Sequence, residues 1–76
     1  MIIEKMESII VIKYERKKTK EFLKWLSEYA KKYNITLTIN IKKRFLFGNN
    51  ITIKSLGIEG DVEKFEESIK NKLLYE

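Results

Sequence analysis

The chain has 76 residues, with 16 basic and 11 acidic side chains and a formal net charge of +5. At 43% apolar and 36% charged residues, it has the composition of one small globular domain over 1–76 rather than of a disordered segment. Cysteine, histidine, proline and glutamine are absent, which excludes disulfides, thiolate or imidazole metal sites and the common nucleophile–base pairs.

The opening MIIEKME breaks its apolar run with charge at once, so no signal peptide is expected. The longest apolar run is Ile9-Ile10-Val11-Ile12, too short for a membrane span, and the expected location is cytoplasmic. Residues 7–15 read as a strand. Ile9 and Val11 point one way, and Ile10, Ile12 and Tyr14 the other, so both faces are apolar.

Residues 19–33 read as a helix capped by Thr19. Phe22, Leu23, Leu26, Tyr29, Ala30 and Tyr33 form its apolar stripe, with Trp25 at the edge, and Asn34 suits its end. Residues 35–42 alternate as a strand, with Ile35, Leu37, Ile39 and Ile41 inward and Thr36, Thr38, Asn40 and Lys42 outward. Residues 51–56 alternate likewise. Gly57 marks a bulge or bend and Gly60 a turn. Residues 61–74 read as a second helix capped by Asp61, burying Val62, Phe65, Ile69 and Leu73.

The order β-α-β-β-α predicts a two-layer α+β sandwich: a three-stranded antiparallel sheet of order 2-3-1 with two helices on one face. The hairpin has two possible registers. A tight one pairs Phe47 with Ile51 across Gly48-Asn49-Asn50, with Asn at the left-handed position; the second strand then runs over 35–47 and its tip projects as an arm. A looser one pairs Ile41 with Ile51. The core parity of Phe45 and Phe47 favours the tight register.

Residues 1–45 hold 12 cations against 5 acids, and residues 46–76 hold 4 against 6. The basic half contains two clusters: Arg16, Lys17, Lys18 and Lys20 after the first strand, and Lys42, Lys43 and Arg44 after the second. In a β-α-β unit these strands run parallel, so both clusters should reach one rim of the sheet, beside Phe45 and Phe47. Cations for phosphates next to rings for bases are the ingredients of a nucleic-acid surface. The site expected from these residues is Arg16, Lys17, Lys18, Lys20, Lys42, Lys43, Arg44 and Phe47, binding DNA or RNA with little base readout. A lysine-rich solvated rim is the plainer reading of the same residues. Fourteen lysines and ten glutamates fit a thermophile surface, and an AT-rich genome gives a similar bias.

The first strand is expected at a sheet edge. Unless covered in cis by residues 1–5 or by the C-terminal residues, it offers Ile10, Val11, Ile12 and Tyr14 as a homodimer interface. A dimerising accessory subunit without nucleic-acid binding is therefore the alternative. Glu59, Asp61, Glu63, Glu66 and Glu67 read as the acidic start of a helix rather than a metal or acid–base site. No cofactor, metal, small-molecule substrate or enzymatic activity is expected.

The layout resembles the ferredoxin-like superfold without its last strand, over nearly the whole chain and by topology. The segment GIEGDVEKFEESI is similar to the second-helix region of acylphosphatases. YERKKTK stands where those enzymes carry a glycine-rich phosphate loop. RNA-recognition motifs share the layout and present aromatics on the third strand, which here reads ITIKSL.

Overall fold

The computed structural model describes residues 4–43 and 48–75. Five elements follow in order: β1 (Lys5–Tyr14), α1 (Arg16–Lys32), β2 (Thr36–Lys43), β3 (Asn49–Ile58) and α2 (Glu59–Leu74). The three strands form one antiparallel sheet of order β1-β3-β2, the order expected from the β-α-β-β-α sequence of elements. β3 pairs antiparallel with both neighbours, so β1 and β2 run parallel to each other on either side of it.

Alternation assigns the two faces of the sheet. Ile51, Ile53 and Ser55 of β3 are buried, and Met6, Ile10, Ile12, Leu37 and Ile39 pack beside them on the same side. Phe22, Leu26 and Ala30 from α1 and Val62, Phe65 and Ile69 from α2 close the core. The largest of these side chains are almost fully buried. Each such large apolar residue contributes about 1.5–3 kcal/mol. Ile9 and Val11 of β1 lie on the opposite, open face, 58% and 65% exposed.

Rings line the helical layer from the end of β1 along α1. Tyr14 stacks on Phe22 at 4.5 Å, and Phe22 faces Trp25 at 6.0 Å. Trp25 meets Tyr29 at 5.0 Å, and Tyr29 meets Tyr33 at 5.1 Å. Lys72 of α2 lies over the Trp25 ring at 5.1 Å, so the indole is covered from the second helix. The Ser68 hydroxyl donates to the Tyr29 oxygen at 3.0 Å. That bond, followed by one from Tyr33, lowers the Tyr29 phenol pKa, while donating to Tyr29 raises that of Tyr33.

Several local expectations change. α1 begins at Arg16 with Glu15 as its N-cap residue, and no side chain caps it. Thr19 is not the cap: it lies one turn inside, buried, because its hydroxyl is used to join layers. α2 begins at Glu59 rather than Asp61, since the Glu59 N–H donates to the Glu4 carbonyl at 3.1 Å and the chain enters the helix directly from β3. Gly60 therefore lies in the first helical turn, and Gly57 lies in an unbroken ladder opposite Met6 instead of at a bulge. Asn34 does end α1 in the left-handed region, with φ 55°. Its N–H donates to Lys31 and that of Ile35 to Ala30, which satisfies the last carbonyls of the helix.

The hairpin adopts the looser register. Ile41 pairs with Ile51 and Lys43 with Asn49, so β2 ends at Lys43 and the tight pairing of Phe47 with Ile51 is overturned. Two contacts hold the start of β3 inside the layer. Asn49 is buried with its amide bonded to Thr19, so it belongs to the sheet rather than to a loop tip. Gly48, not an Asn, takes the left-handed conformation at φ 62°, and a Cβ there would come within 2.2 Å of the Tyr14 carbonyl oxygen. Arg44, Phe45, Leu46 and Phe47 lie outside the described residues.

Gly48→Ala should destabilise the protein by at least about 1–2 kcal/mol, the cost of a left-handed alanine before the clash with Tyr14 is added. Urea unfolding with an unchanged midpoint would contradict this packing. Ser55→Ala should act in the opposite direction. The Ser55 hydroxyl is buried without a hydrogen-bond partner, so removing it should raise stability by about 1 kcal/mol in the same assay.

Candidate nucleic-acid interface

The two ladders place the ends of three strands in register. Tyr14 of β1, Asn49 of β3 and Lys43 of β2 form one row across the sheet. The preceding row is Lys13, Asn50 and Lys42. Two strand spacings separate Lys13 from Lys42, about 10 Å between backbones. α1 starts two residues after Tyr14, so Arg16, Lys17, Lys18 and Lys20 leave from the same rim. The parallel relation of β1 and β2 thus brings the two basic clusters together, with Lys13 as a member missed in the sequence. Its position could have been read from the end of the first strand.

All seven of these cations are exposed. The acids among them are Glu15 and Glu21, both also exposed. Lys18 lies 3.8 Å from the Glu15 carboxylate, a solvated i, i+3 pair of small energetic weight. The first turn of α1 contains no acidic residue. It carries three cations at the positive end of the helix dipole, an arrangement unfavourable by about 0.3–1 kcal/mol per charge. An anion at this end would find backbone N–H groups without a side-chain cap and cations on the same turn.

Beneath the charges lies a buried polar joint. The Asn49 side-chain amide donates to Thr19 Oγ1 at 3.1 Å, and the Thr19 hydroxyl donates to the Glu15 carbonyl at 2.8 Å. This chain ties the start of β3 to the first turn of α1. It keeps the helix start and the hairpin end from moving apart. The Asn49 Oδ1 has no partner.

The start of α2 and the start of β1 lie at the other end of the strands. Glu59 and Asp61 occupy the first turn of α2, and Glu59 is bonded to Glu4 across the rim. Lys5 and the Lys31–Lys32 turn of α1 share that end, about 30 Å from the basic rim for strands of this length, so acids and cations are mixed there.

Of the residues expected at a dimer interface, Val11 lies on the open face. Ile10 and Ile12 are half-buried toward the helices, and Tyr14 is buried against Phe22. Ile9, not chosen from the sequence, is the other exposed apolar residue of the β1 centre. Among the described residues no strand pairs with the outer edge of β1.

A groove of about 370 Å³ between α1 and β2 is lined by Ser27, Ala30, Lys31, Ile35, Leu37 and Ile39, with no acid–base pair. Among the described residues no acidic cluster could hold a metal ion, and no helix is long and apolar enough to cross a membrane.

The Thr19–Asn49 bond should show as coupling in a double-mutant cycle. Thr19→Val and Asn49→Ala should each destabilise, and their combined loss should fall short of additivity by about 1 kcal/mol. Strict additivity in urea unfolding would remove the joint.

Comparison of the chain with family models, with curated proteins and with solved structures finds no match.

Proposed function

We propose that the chain is a small, non-enzymatic nucleic-acid-binding protein that grips phosphates at its basic pole. The layout would be ferredoxin-like, lacking the last strand. One observation carries the reading: the row Tyr14–Asn49–Lys43 joins the two cationic clusters at one rim. Lys13, Arg16, Lys17, Lys18, Lys20, Lys42 and Lys43 supply positive charge from both sides of β3. The uncapped first turn of α1 adds oriented N–H groups. Six of these seven side chains are lysines, which act as point charges and read little sequence. The proposed contacts are therefore electrostatic, made with DNA or RNA backbones of mixed sequence.

A second reading is favoured by Ile9 and Val11. It makes the chain a dimerising accessory subunit without nucleic-acid binding, associating through the edge of β1 that no described strand covers.

Fluorescence anisotropy with mixed-sequence single strands and duplexes tests the first reading. If six or more phosphates are engaged, affinity should fall about 10³-fold or more between about 50 and 200 mM salt. Lys17→Gln, Lys42→Gln and Lys43→Gln together should weaken binding to all sequences alike. Each lost contact should lower the log–log salt slope by about 0.7–0.9. Lys31→Gln with Lys64→Gln, away from the basic rim, should change the slope little. Absence of binding at about 50 mM salt, or equal effects of both variant sets, would refute a grip at this rim.

A further inference from the structure

We propose that a second copy of this chain pairs with the free edge of β1, antiparallel, about a two-fold axis through Ile10. The proposal rests on the second reading above and names its partner and register.

Edge pairing of two copies about a two-fold axis normal to the sheet keeps both helical layers on one side. Residues opposite each other must then share a face. This leaves few registers. An axis through Ile9 sets Lys5 against Lys13 and Glu7 against Val11. An axis through Ser8 sets Glu7 against Ile9 and Lys5 against Val11. An axis through Val11 sets Lys13 against Ile9. Each opposes like charges or charge to apolar surface.

The register centred on Ile10 does neither. Glu7 meets Lys13 of the partner subunit, Ile9 meets Val11 of the partner subunit, and both pairs repeat by symmetry. On the helical side, Ile10 meets its own copy and Ser8 meets Ile12 of the partner subunit. Nearly the whole strand is paired, because Ile10 lies next to its midpoint.

Burial agrees with this arrangement. Ile9 and Val11 are 58% and 65% exposed, and Ile10 and Ile12 are only half-covered by their own helices. β1 is a ten-residue strand with an unbroken ladder on one side and no proline or bulge guarding the other. The β2 edge differs: Thr36, Thr38, Asn40 and Lys42 give its open face a polar surface. Pairing at β1 makes a six-stranded sheet of order β2-β3-β1-β1-β3-β2. It also sets the C-terminal end of each β1 beside the N-terminal end of its neighbour. Lys13 is then paired with Glu7 of the partner subunit, while the remaining cations, Arg16, Lys17, Lys18, Lys20, Lys42 and Lys43, lie at opposite ends of the dimer and stay exposed.

Charge reversal at Glu7 and Lys13 tests the register by sedimentation equilibrium. The unmodified chain should be dimeric. Glu7→Lys alone and Lys13→Glu alone should each weaken the dimer about tenfold or more, because each places two like-charge pairs across the edge. The double variant Glu7→Lys/Lys13→Glu should recover the original dissociation constant. The two single variants, mixed, should form a heterodimer. Recovery in the double variant and in the mixture excludes misfolding as the cause of the single losses. A monomeric unmodified chain would overturn both the proposal and the association reading. A dimer insensitive to all three variants would overturn the proposal and leave association through another surface.

Discussion

The structure depends on one constraint, the pairing of β3 with both neighbours over nearly its whole length. A strand that is central and antiparallel on both sides forces the flanking strands to run the same way. Their C-terminal ends must then reach the same border. Everything attached to those ends comes with them: the first turn of α1 on one side and the end of β2 on the other. The core enforces the arrangement, since Ile51 and Ile53 are fully buried and a one-residue slip would turn them to solvent.

At that border, backbone geometry and polar bonding act together. Gly48 lets the chain pass against the Tyr14 carbonyl, and Asn49 then bonds to Thr19 beneath the helix start. The lysines above this joint violate a local preference, because cations oppose the dipole at a helix start and no side chain caps it. Local rules broken without an evident structural gain concentrate at functional positions. The opposite pole obeys the rule, with Glu59 and Asp61 in the first turn of α2. The contrast between two helix starts in one small chain is a ground for the anion grip proposed at the first of them.

The sequence displays its periodicities clearly; the core follows from them, and the strand order from the succession of elements they define. The stripe of Phe22, Leu26 and Ala30 and the alternation of Ile51 and Ile53 both appear as buried rows. The hairpin register is not legible in this way. Shifting from one pairing to the other moves residues by an even number, so the parity of Phe45 and Phe47 cannot distinguish them. The decisive contacts come from a glycine against a carbonyl and an amide against a hydroxyl 30 residues away, neither of which has a hydrophobic signature. Thr19 misleads for a related reason. Its hydroxyl can bond the preceding turn from inside a helix as readily as it can cap one. On β1, both faces are apolar in sequence, and only the position of the helices separates the half-buried Ile10 and Ile12 from the open Ile9 and Val11.

The convergence of the two lysine clusters is measurable directly, because the chain contains no cysteine to interfere with labelling. Spin labels at Lys17→Cys and Lys42→Cys, diluted with unlabelled chain, report the separation of the helix start from the hairpin end. Shared placement at one rim requires a narrow distribution centred near about 10–20 Å, two strand spacings plus the label arms. A distribution centred beyond about 30 Å, the length of a ten-residue strand, would put the clusters at opposite poles and contradict a joint anion grip.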